Sequence, residues 1–157
     1  IERFAAFPVQ IKWVNDLLVH GKKVCGILTE GELDPATGAL RYGVLGIGIN
    51  VGMAVFPPPL AEIATSLANE GCSVERERLI AAVLEELESA YARMGDGSFL
   101  EESRRRSAVL GRPVTVLRGD ERFEAVAEAI DEQGHLVVRT ADGRLLTLHS
   151  GEVSLRL

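Results

Sequence analysis

The feature that most constrains the fold is a series of β-rich runs between residues 9 and 52, separated by compact turns. The runs read VQIKW, DLLV, KVCGILTEGEL and LRYGVLGIGINV. His20-Gly21-Lys22 is typical of a tight hairpin turn. In the segment 34–38, a proline fixes φ near one end and a glycine accepts positive φ at the other. We therefore predict an antiparallel sheet over residues 9–52.

The next part of the chain is predicted to be helical. Three prolines at 57–59 end the strand-rich region, because proline is not tolerated inside a helix. Residues 60–71 are predicted as a short helix that stops at Gly71. Ser73 is placed to cap a longer helix, which is predicted to run to Gly95. Its apolar residues recur at steps of three and four and form one stripe: Ile80, Val83, Leu84, Leu87, Tyr91 and Met94.

A small β unit follows a shorter, charged helix that is predicted around residues 99–109. Short strands separated by glycine-containing turns are typical of a small barrel. Such strands are predicted at 114–117, 123–130, 136–140 and 145–148. The residues alone thus predict an α/β unit followed by a small β-barrel, with the boundary near Gly111.

Composition limits the classes of function. The chain of 157 residues is 46% hydrophobic and 25% charged, which is close to globular averages and predicts a buried core. Its net charge of -6 argues against a nucleic-acid partner. The run Arg104 to Arg106 is better explained as a solvated helix face. Cys25 and Cys72 have neither metal-site nor disulfide spacing, which fits a reducing cytosol.

Lys12 is the first candidate functional residue. On the alternation of VQIKW it lies opposite the apolar positions 9, 11 and 13. A solvated strand face explains most such lysines. The functional alternative is a point charge on a rigid strand, aimed at a phosphate or carboxylate. Periodicity leaves both open, and Asn15 and Asp16 can equally be simple turn residues.

Glycines interrupt two of the predicted strands. Gly48 lies in GIGIN and Gly26 in VCGIL. A glycine weakens a strand, so it often marks the close approach of a ligand or another backbone. The three histidines have no metal or triad spacing, and Glu30 and Glu32 are better explained as a solvated face than as an acid–base pair. The residues alone predict an anion or small-ligand site near Lys12 and Gly48.

Together these blocks resemble biotin protein ligase, the biotin–[acetyl-CoA-carboxylase] ligase family. IKWVNDLLVHGKKVCGILTE is followed by GVLGIGINV, EIATSLANEG and a C-terminal GEVSL, in the family's order and at similar spacing. The resemblance covers essentially the whole chain. It implies an α+β fold, with a partial class II synthetase-like mixed sheet and helices in residues 1–110. A small SH3-like β-barrel is implied in residues 111–157.

The resemblance also implies a two-step reaction. Biotin and ATP, with Mg²⁺ accompanying the nucleotide, give biotinyl-5′-AMP and pyrophosphate. A lysine of the biotin carboxyl carrier protein then takes the biotin. Lys12 matches the family's catalytic lysine at the biotin carboxyl and the α-phosphate. Trp13, Asn15 and Asp16 are implied to support its strand, and no metal site in the protein is implied.

Further binding positions follow from the same resemblance. Gly26 matches a backbone position near the biotin pocket. Gly48, Ile49 and Asn50 match the strand under the adenylate, where Asn50 is implied to lie near the adenine or ribose. Residues 53–67 correspond to the region that covers the adenine.

Two departures from the family pattern are visible. Val14 stands where the family usually has proline, so this turn is expected to be less fixed. The family's Gly-Arg-Gly-Arg-x-Gly-Arg loop and its Ser-Thr/Gln biotin contacts belong upstream of the lysine block, and the run Arg104 to Arg106 cannot replace them. The chain is therefore expected to be the C-terminal part of a ligase.

Two alternatives stand beside this expectation. A lipoate or octanoyl transferase is disfavoured by GIGIN and the C-terminal barrel. A non-catalytic remnant or ligand-binding partner is favoured by the absent loop. The expected setting is cytoplasmic, with the biotin carboxyl carrier protein as partner and a homodimer left open. Neither a membrane nor a nucleic acid is indicated.

Overall fold

The computed structural model of the chain describes residues 1–149 and 152–155, and within them lie two antiparallel sheets and two α-helices. The strands of the first sheet are β1 Gln10–Lys12, β2 Asp16–Val19, β3 Lys22–Leu33 and β4 Leu40–Ile49, in the spatial order β1-β2-β3-β4. A 3₁₀ turn at Leu60–Glu62, α1 at Arg76–Ala92 and α2 at Ser98–Arg105 follow. The second sheet contains β5 Pro113–Arg118, β6 Glu121–Ile130, β7 Leu136–Thr140, β8 Leu145–Leu148 and β9 Glu152–Leu155.

The predicted antiparallel sheet over residues 9–52 is confirmed. His20 and Gly21 join β2 to β3 with φ values of 48° and 81°, the positive values that a two-residue hairpin turn needs. At the β3–β4 turn, Asp34 Oδ1 accepts two backbone N–H groups at 2.9 Å each, and Gly38 has a φ of 70°. Local turn chemistry therefore sets the register of the sheet. The strands all pair antiparallel, so the mixed sheet implied by the resemblance is not what this part of the chain forms.

The predicted helix over residues 60–71 is wrong. After the 3₁₀ turn the chain lies along the start of β3. The backbone N–H of Lys23 donates to the Ile63 carbonyl oxygen at 2.8 Å, and the N–H of Thr65 donates to the Lys23 carbonyl oxygen at 2.9 Å. These tertiary hydrogen bonds override the local helical pattern, which is a weak determinant by itself.

The first helix is shorter at both ends than the sequence predicts. Glu75 has an extended backbone, with φ −69° and ψ 132°, and its carbonyl oxygen accepts the N–H of Leu79 at 3.1 Å. The helix therefore starts immediately after Glu75, and Ser73 is not its cap. It ends at Ala92, before Gly95. The second helix is likewise found at Ser98–Arg105 rather than over residues 99–109.

α1 buries a different face from the predicted apolar stripe. Leu79 packs into the core of the first sheet, together with Val9, Val19, Val24, Cys25, Leu67 and Cys72. Ile80, Leu84 and Tyr91 are 58%, 60% and 73% exposed. The helix is amphipathic as predicted, but most of the stripe faces away from this core. No helix in the described part of the chain is long and apolar enough to cross a membrane.

The predicted strands of the second sheet are confirmed, and β9 adds a fifth strand paired with β5. The spatial order is β8-β7-β6-β5-β9, which leaves β8 and β9 at the edges of an open sheet. Its core contains Val114, Val116, Ala127, Leu136, Val138, Leu148 and Val153, and also Trp13 from the first part of the chain. Residues 150–151 and 156–157 of the expected barrel lie outside the described residues.

Candidate functional site

Lys12 stands at the end of β1 and faces Asp16, the first residue of β2. The two residues are direct partners in the antiparallel register, so their side chains lie on the same face. Lys12 Nζ lies 3.4 Å from Asp16 Oδ2, and the two side chains are only 17% and 15% exposed. Lys12 is therefore held in a partly buried ion pair and is not a solvated lysine on a strand face.

A second lysine, which no sequence pattern marks as functional, contacts the same carboxylate. Lys23 Nζ lies 2.6 Å from Asp16 Oδ1, and the Lys23 side chain is 45% exposed. The signal that could have identified it is Gly26, three residues later. A Cβ atom at Gly26 would lie 2.9 Å from Lys23 Nζ, so glycine leaves the room that this ammonium group occupies.

Lys12, Asp16 and Lys23 form a charged cluster. Gly26 and Gly48 form a floor beside this cluster. They are direct cross-strand partners in β3 and β4, and a Cβ atom at Gly48 would lie 3.8 Å from the Gly26 carbonyl oxygen. Together with Gly46 they line a shallow depression of about 490 Å³. The other lining residues are Asn15, Asp16, Lys23, Ile27, Leu28 and Ile47. Three positions without side chains allow a ligand to approach the strand backbone closely.

Asn15 fastens the turn after Lys12 onto β3. Its Nδ2 donates to the Ile27 carbonyl oxygen at 2.5 Å, and its own carbonyl oxygen accepts the Ile27 N–H at 2.9 Å. The peptide bond between Trp13 and Val14 is cis. The two reciprocal hydrogen bonds hold the turn after Lys12 against β3.

Trp13 points away from the cluster and into the core of the second sheet. It is 5% exposed and packs in the same core as Val114, Leu136 and Val138. Its Nε1–H donates to the Gly134 carbonyl oxygen at 3.0 Å, which satisfies the indole N–H inside a buried setting. The residue next to Lys12 is therefore anchored in the C-terminal part of the chain.

Three of the expected adenylate-binding residues, Lys12, Ile49 and Asn50, do not line the depression. Lys12 adjoins it through its ion-pair partner Asp16, which does line it. Ile49 packs against the core of the first sheet. Asn50 Nδ2 donates to the Thr65 carbonyl oxygen at 3.0 Å, and the Asn50 carbonyl oxygen accepts the Leu67 N–H at 2.9 Å. Asn50 thus fastens the segment 53–67 to the end of β4.

The same segment forms part of a second depression, of about 430 Å³. There Glu70 accepts a hydrogen bond from Thr65 Oγ1 at 2.6 Å and lies 2.6 Å from His20 Nδ1. The hydrogen bond from Thr65, aided by His20, lowers the pKa of Glu70. An ionised Glu70 therefore links the β2–β3 turn to this segment.

The charges in and beside the first depression favour an anionic ligand. The two ammonium groups and one carboxylate of Lys12, Lys23 and Asp16 sum to a net charge of +1. Cys25 is buried on the neighbouring strand, and burial raises the pKa of its thiol, so it is a poor nucleophile. Within the described residues, no three or more His, Cys, Asp or Glu side chains lie together as metal ligands would.

Two family models match the chain, one to each sheet. The model of the Biotin/lipoate A/B protein ligase family matches residues 2–50, which include Lys12, Gly26 and Gly48. The chain therefore falls into the class of biotin and lipoate ligases. The model of the Biotin protein ligase C terminal domain matches residues 109–156. With both models in this order, the chain belongs to the biotin protein ligase family.

Curated proteins that are similar in sequence to this chain are named as ligases. The chain is 30% identical over 160 residues to the bifunctional ligase/repressor BirA of Escherichia coli, covering 99% of this chain and 49% of BirA. It is 34% identical over 147 residues to the biotin–[acetyl-CoA-carboxylase] ligase of Mycobacterium tuberculosis, covering 91% of this chain and 52% of that enzyme. The chain thus spans about half the length of these relatives.

Solved structures share the fold over nearly the whole chain. The biotin protein ligase from Aquifex aeolicus in complex with biotin and ATP has a TM-score of 0.81 at 27% identity, over 99% of this chain and 65% of that one. Its apo structure has a TM-score of 0.82 at 26% identity, over 99% of this chain and 68% of that one. The arrangement of the two sheets is therefore that of a biotin protein ligase.

Proposed function

We propose that the natural protein containing this chain is a biotin protein ligase. It joins biotin to ATP, which gives biotinyl-5′-AMP and pyrophosphate, and then passes biotin to a lysine of a biotin carboxyl carrier protein. The observation that carries the proposal is the partly buried cluster of Lys12, Asp16 and Lys23 beside the glycine floor of β3 and β4, in a chain of this family.

The first step is the formation of a mixed anhydride. A carboxylate oxygen of biotin attacks the α-phosphorus of MgATP, and the bond from that phosphorus to pyrophosphate breaks. Negative charge builds on the phosphoryl oxygens. Lys12 directs an ammonium group toward that charge from a rigid strand, and one such preorganised donor contributes about 3 kcal/mol to lowering a barrier.

The second step transfers biotin to the carrier. The neutral amine of the carrier lysine attacks the carbonyl carbon of biotinyl-5′-AMP. The new amide bond forms, AMP leaves with the electron pair of the broken carbon–oxygen bond, and the amine proton passes to solvent. The same positive cluster favours retention of the phosphate of AMP until the amide is made.

The remaining site residues support this chemistry in different ways. Gly26 and Gly48 admit the ligand close to the strand backbone, and Ile49 supports that strand from its buried side. Asn50 acts mainly by holding the segment 53–67, which serves as the adenine cover. Trp13 joins Asn15 and Asp16 in fixing the position of Lys12.

The domain boundaries, the cellular location and the oligomeric state are part of the same proposal. Residues 1–110 form the C-terminal part of the catalytic domain, and residues 111–157 form an SH3-like barrel. The protein works in the cytoplasm, where ATP and the carrier protein are available. A homodimer is included in the proposal, and the mass measured by light scattering across protein concentration tests it.

The test is biotin-dependent exchange of labelled pyrophosphate into ATP, measured with the natural protein. We expect exchange with biotin and none with lipoate. Lys12→Ala is expected to reduce exchange about 100-fold, the usual effect of losing one preorganised donor. Arg76→Ala, which removes an exposed charge at the start of α1, is the matched control and is expected to leave exchange unchanged.

The outcomes separate the rival functions. Exchange with lipoate but not with biotin would assign the protein to lipoate transfer. A folded natural protein that exchanges with neither acid would make it a non-catalytic member of the family. Near-normal exchange by Lys12→Ala would remove Lys12 from the reaction.

A further inference from the structure

We propose that Lys23 is a positioning residue that neutralises Asp16 and thereby leaves the positive charge of Lys12 available to an anionic substrate. The inference rests on the proposed function for the identity of that anion. For the roles of the three side chains it rests on their geometry.

The two lysines hold Asp16 unequally. Lys23 Nζ lies 2.6 Å from Oδ1, whereas Lys12 Nζ lies 3.4 Å from Oδ2. Charge-assisted hydrogen bonds between nitrogen and oxygen are typically about 2.7–2.9 Å long. Lys23 therefore makes the strong contact and Lys12 the loose one. A loose contact is readily exchanged for a phosphate or carboxylate oxygen while Asp16 stays anchored.

The charge balance explains the need for a second cation. Lys12, Lys23 and Asp16 together carry a net charge of +1. Without Lys23 the remaining pair carries none, and the Asp16 carboxylate, which is only 15% exposed, would draw Lys12 into a closed ion pair. An approaching anion would then have to break that pair before it gained the attraction of Lys12.

Lys23 is fixed in place from its backbone to its ammonium group. Its backbone N–H donates to the Ile63 carbonyl oxygen, and its carbonyl oxygen accepts the Thr65 N–H. Further along the strand, the missing side chain of Gly26 leaves the space used by Lys23 Nζ and Cε, which would lie 2.9 and 3.0 Å from a Cβ atom there. The contact with Asp16 is therefore built into the sheet.

The test compares charge variants of the natural protein in two assays: biotin-dependent pyrophosphate exchange, and binding of inorganic pyrophosphate by titration calorimetry. Lys23→Met is expected to slow exchange about 10- to 100-fold, because a small misplacement of a reacting group can cost up to about 100-fold, and to weaken pyrophosphate binding. Adding Asp16→Asn restores the net charge of +1 and is expected to recover most of both losses. Lys23→Arg is expected to retain both.

A matched control removes one positive charge elsewhere. Arg76→Met alters an exposed arginine on α1 and is expected to leave exchange and pyrophosphate binding unchanged. Lys23→Gln, which keeps a polar side chain, takes the place of Lys23→Met if circular dichroism shows that the methionine variant does not fold.

Two results would overturn the inference. One is normal exchange and binding by the Lys23 variant. The other is a double variant no better than the single one, since Lys23 would then act in some way other than neutralising Asp16. If the wild-type protein lacks biotin-dependent exchange, the proposed function fails, and pyrophosphate binding alone then decides the role of Lys23 by the same two comparisons.

Discussion

Trp13 Nε1 donates a hydrogen bond to the carbonyl oxygen of Gly134, which lies 121 residues later in the sequence. The indole is 5% exposed and belongs to the core of the second sheet. Lys12, one residue earlier, is held in the partly buried pair with Asp16. Because the two residues are adjacent, the position of the candidate catalytic lysine depends on the packing of the C-terminal sheet.

Trp13→Phe tests this hydrogen bond. Phenylalanine keeps most of the buried apolar surface but leaves the Gly134 carbonyl oxygen without its donor, so we expect a loss of about 1–3 kcal/mol in the free energy of unfolding. Urea unfolding followed by circular dichroism measures it. Tyr91→Phe changes an aromatic residue that is 73% exposed and is expected to cost less than about 0.5 kcal/mol. Equal effects of the two changes would show that the Trp13 bond contributes nothing.

Leu136→Ala tests the core that receives the indole. Leu136 is fully buried in the second sheet, so its truncation is expected to cost about 2–5 kcal/mol. Trp13 is the only tryptophan of the chain, so its fluorescence emission is expected to shift to the red in the variant. Leu145→Ala makes the same substitution where leucine is 62% exposed and is expected to change neither stability nor emission. An unshifted emission in a destabilised Leu136→Ala protein would contradict the packing of the Trp13 indole in this core.

Asn50→Ala tests the attachment of the segment 53–67. The variant loses the hydrogen bond to the Thr65 carbonyl oxygen, and we expect local stability there to fall by about 1 kcal/mol. Cleavage by thermolysin within the segment is then expected to be about fivefold faster. Asn69→Ala, at an exposed position of the same loop region, is the control. Equal cleavage rates in both variants would show that Asn50 does not hold the segment.

Glu102 provides a prediction on pH. Hydrogen bonds from Arg105 and then from Arg106 lower the pKa of Glu102 from 4.5 to about 2. Its contribution to stability is therefore fully present above pH 4.5 and is lost as the pH falls toward 2. Glu102→Gln is expected to lower the urea midpoint at pH 6 and to have little effect at pH 2. Glu101→Gln, which changes an exposed carboxylate on the same helix, is the control. An effect of Glu102→Gln that does not depend on pH would contradict a stabilising role for the ionised Glu102 carboxylate.

The local parts of the fold could be predicted from the sequence, because their causes are local. The His20-Gly21 turn and the turn at 34–38 carry the residues that their backbone angles require. The helix predicted over residues 60–71 failed because Lys23, far away in the sequence, pairs with that backbone. Periodicity contains no information about such a partner.

The candidate site was predictable in part for the same reason. Lys12, Gly26 and Gly48 stand out in the sequence, and the structure brings them to one cluster and its adjoining floor. Lys23 was missed because the register shifts between Leu17 and Leu18 and because its side chain reaches across a glycine to Asp16. Both features depend on tertiary geometry, which the alternation of apolar and polar residues along a strand does not reveal.

In the proposed reaction Lys12 faces the phosphate of the intermediate biotinyl-5′-AMP. A crystal structure of the natural protein with a non-hydrolysable analogue of biotinyl-5′-AMP measures this most directly. We expect a phosphate oxygen about 2.7–2.9 Å from Lys12 Nζ, with the ligand lying over Gly26 and Gly48 and with Lys23 still paired with Asp16. An analogue bound elsewhere, or bound with Lys12 still paired to Asp16 and away from the phosphate, would contradict it.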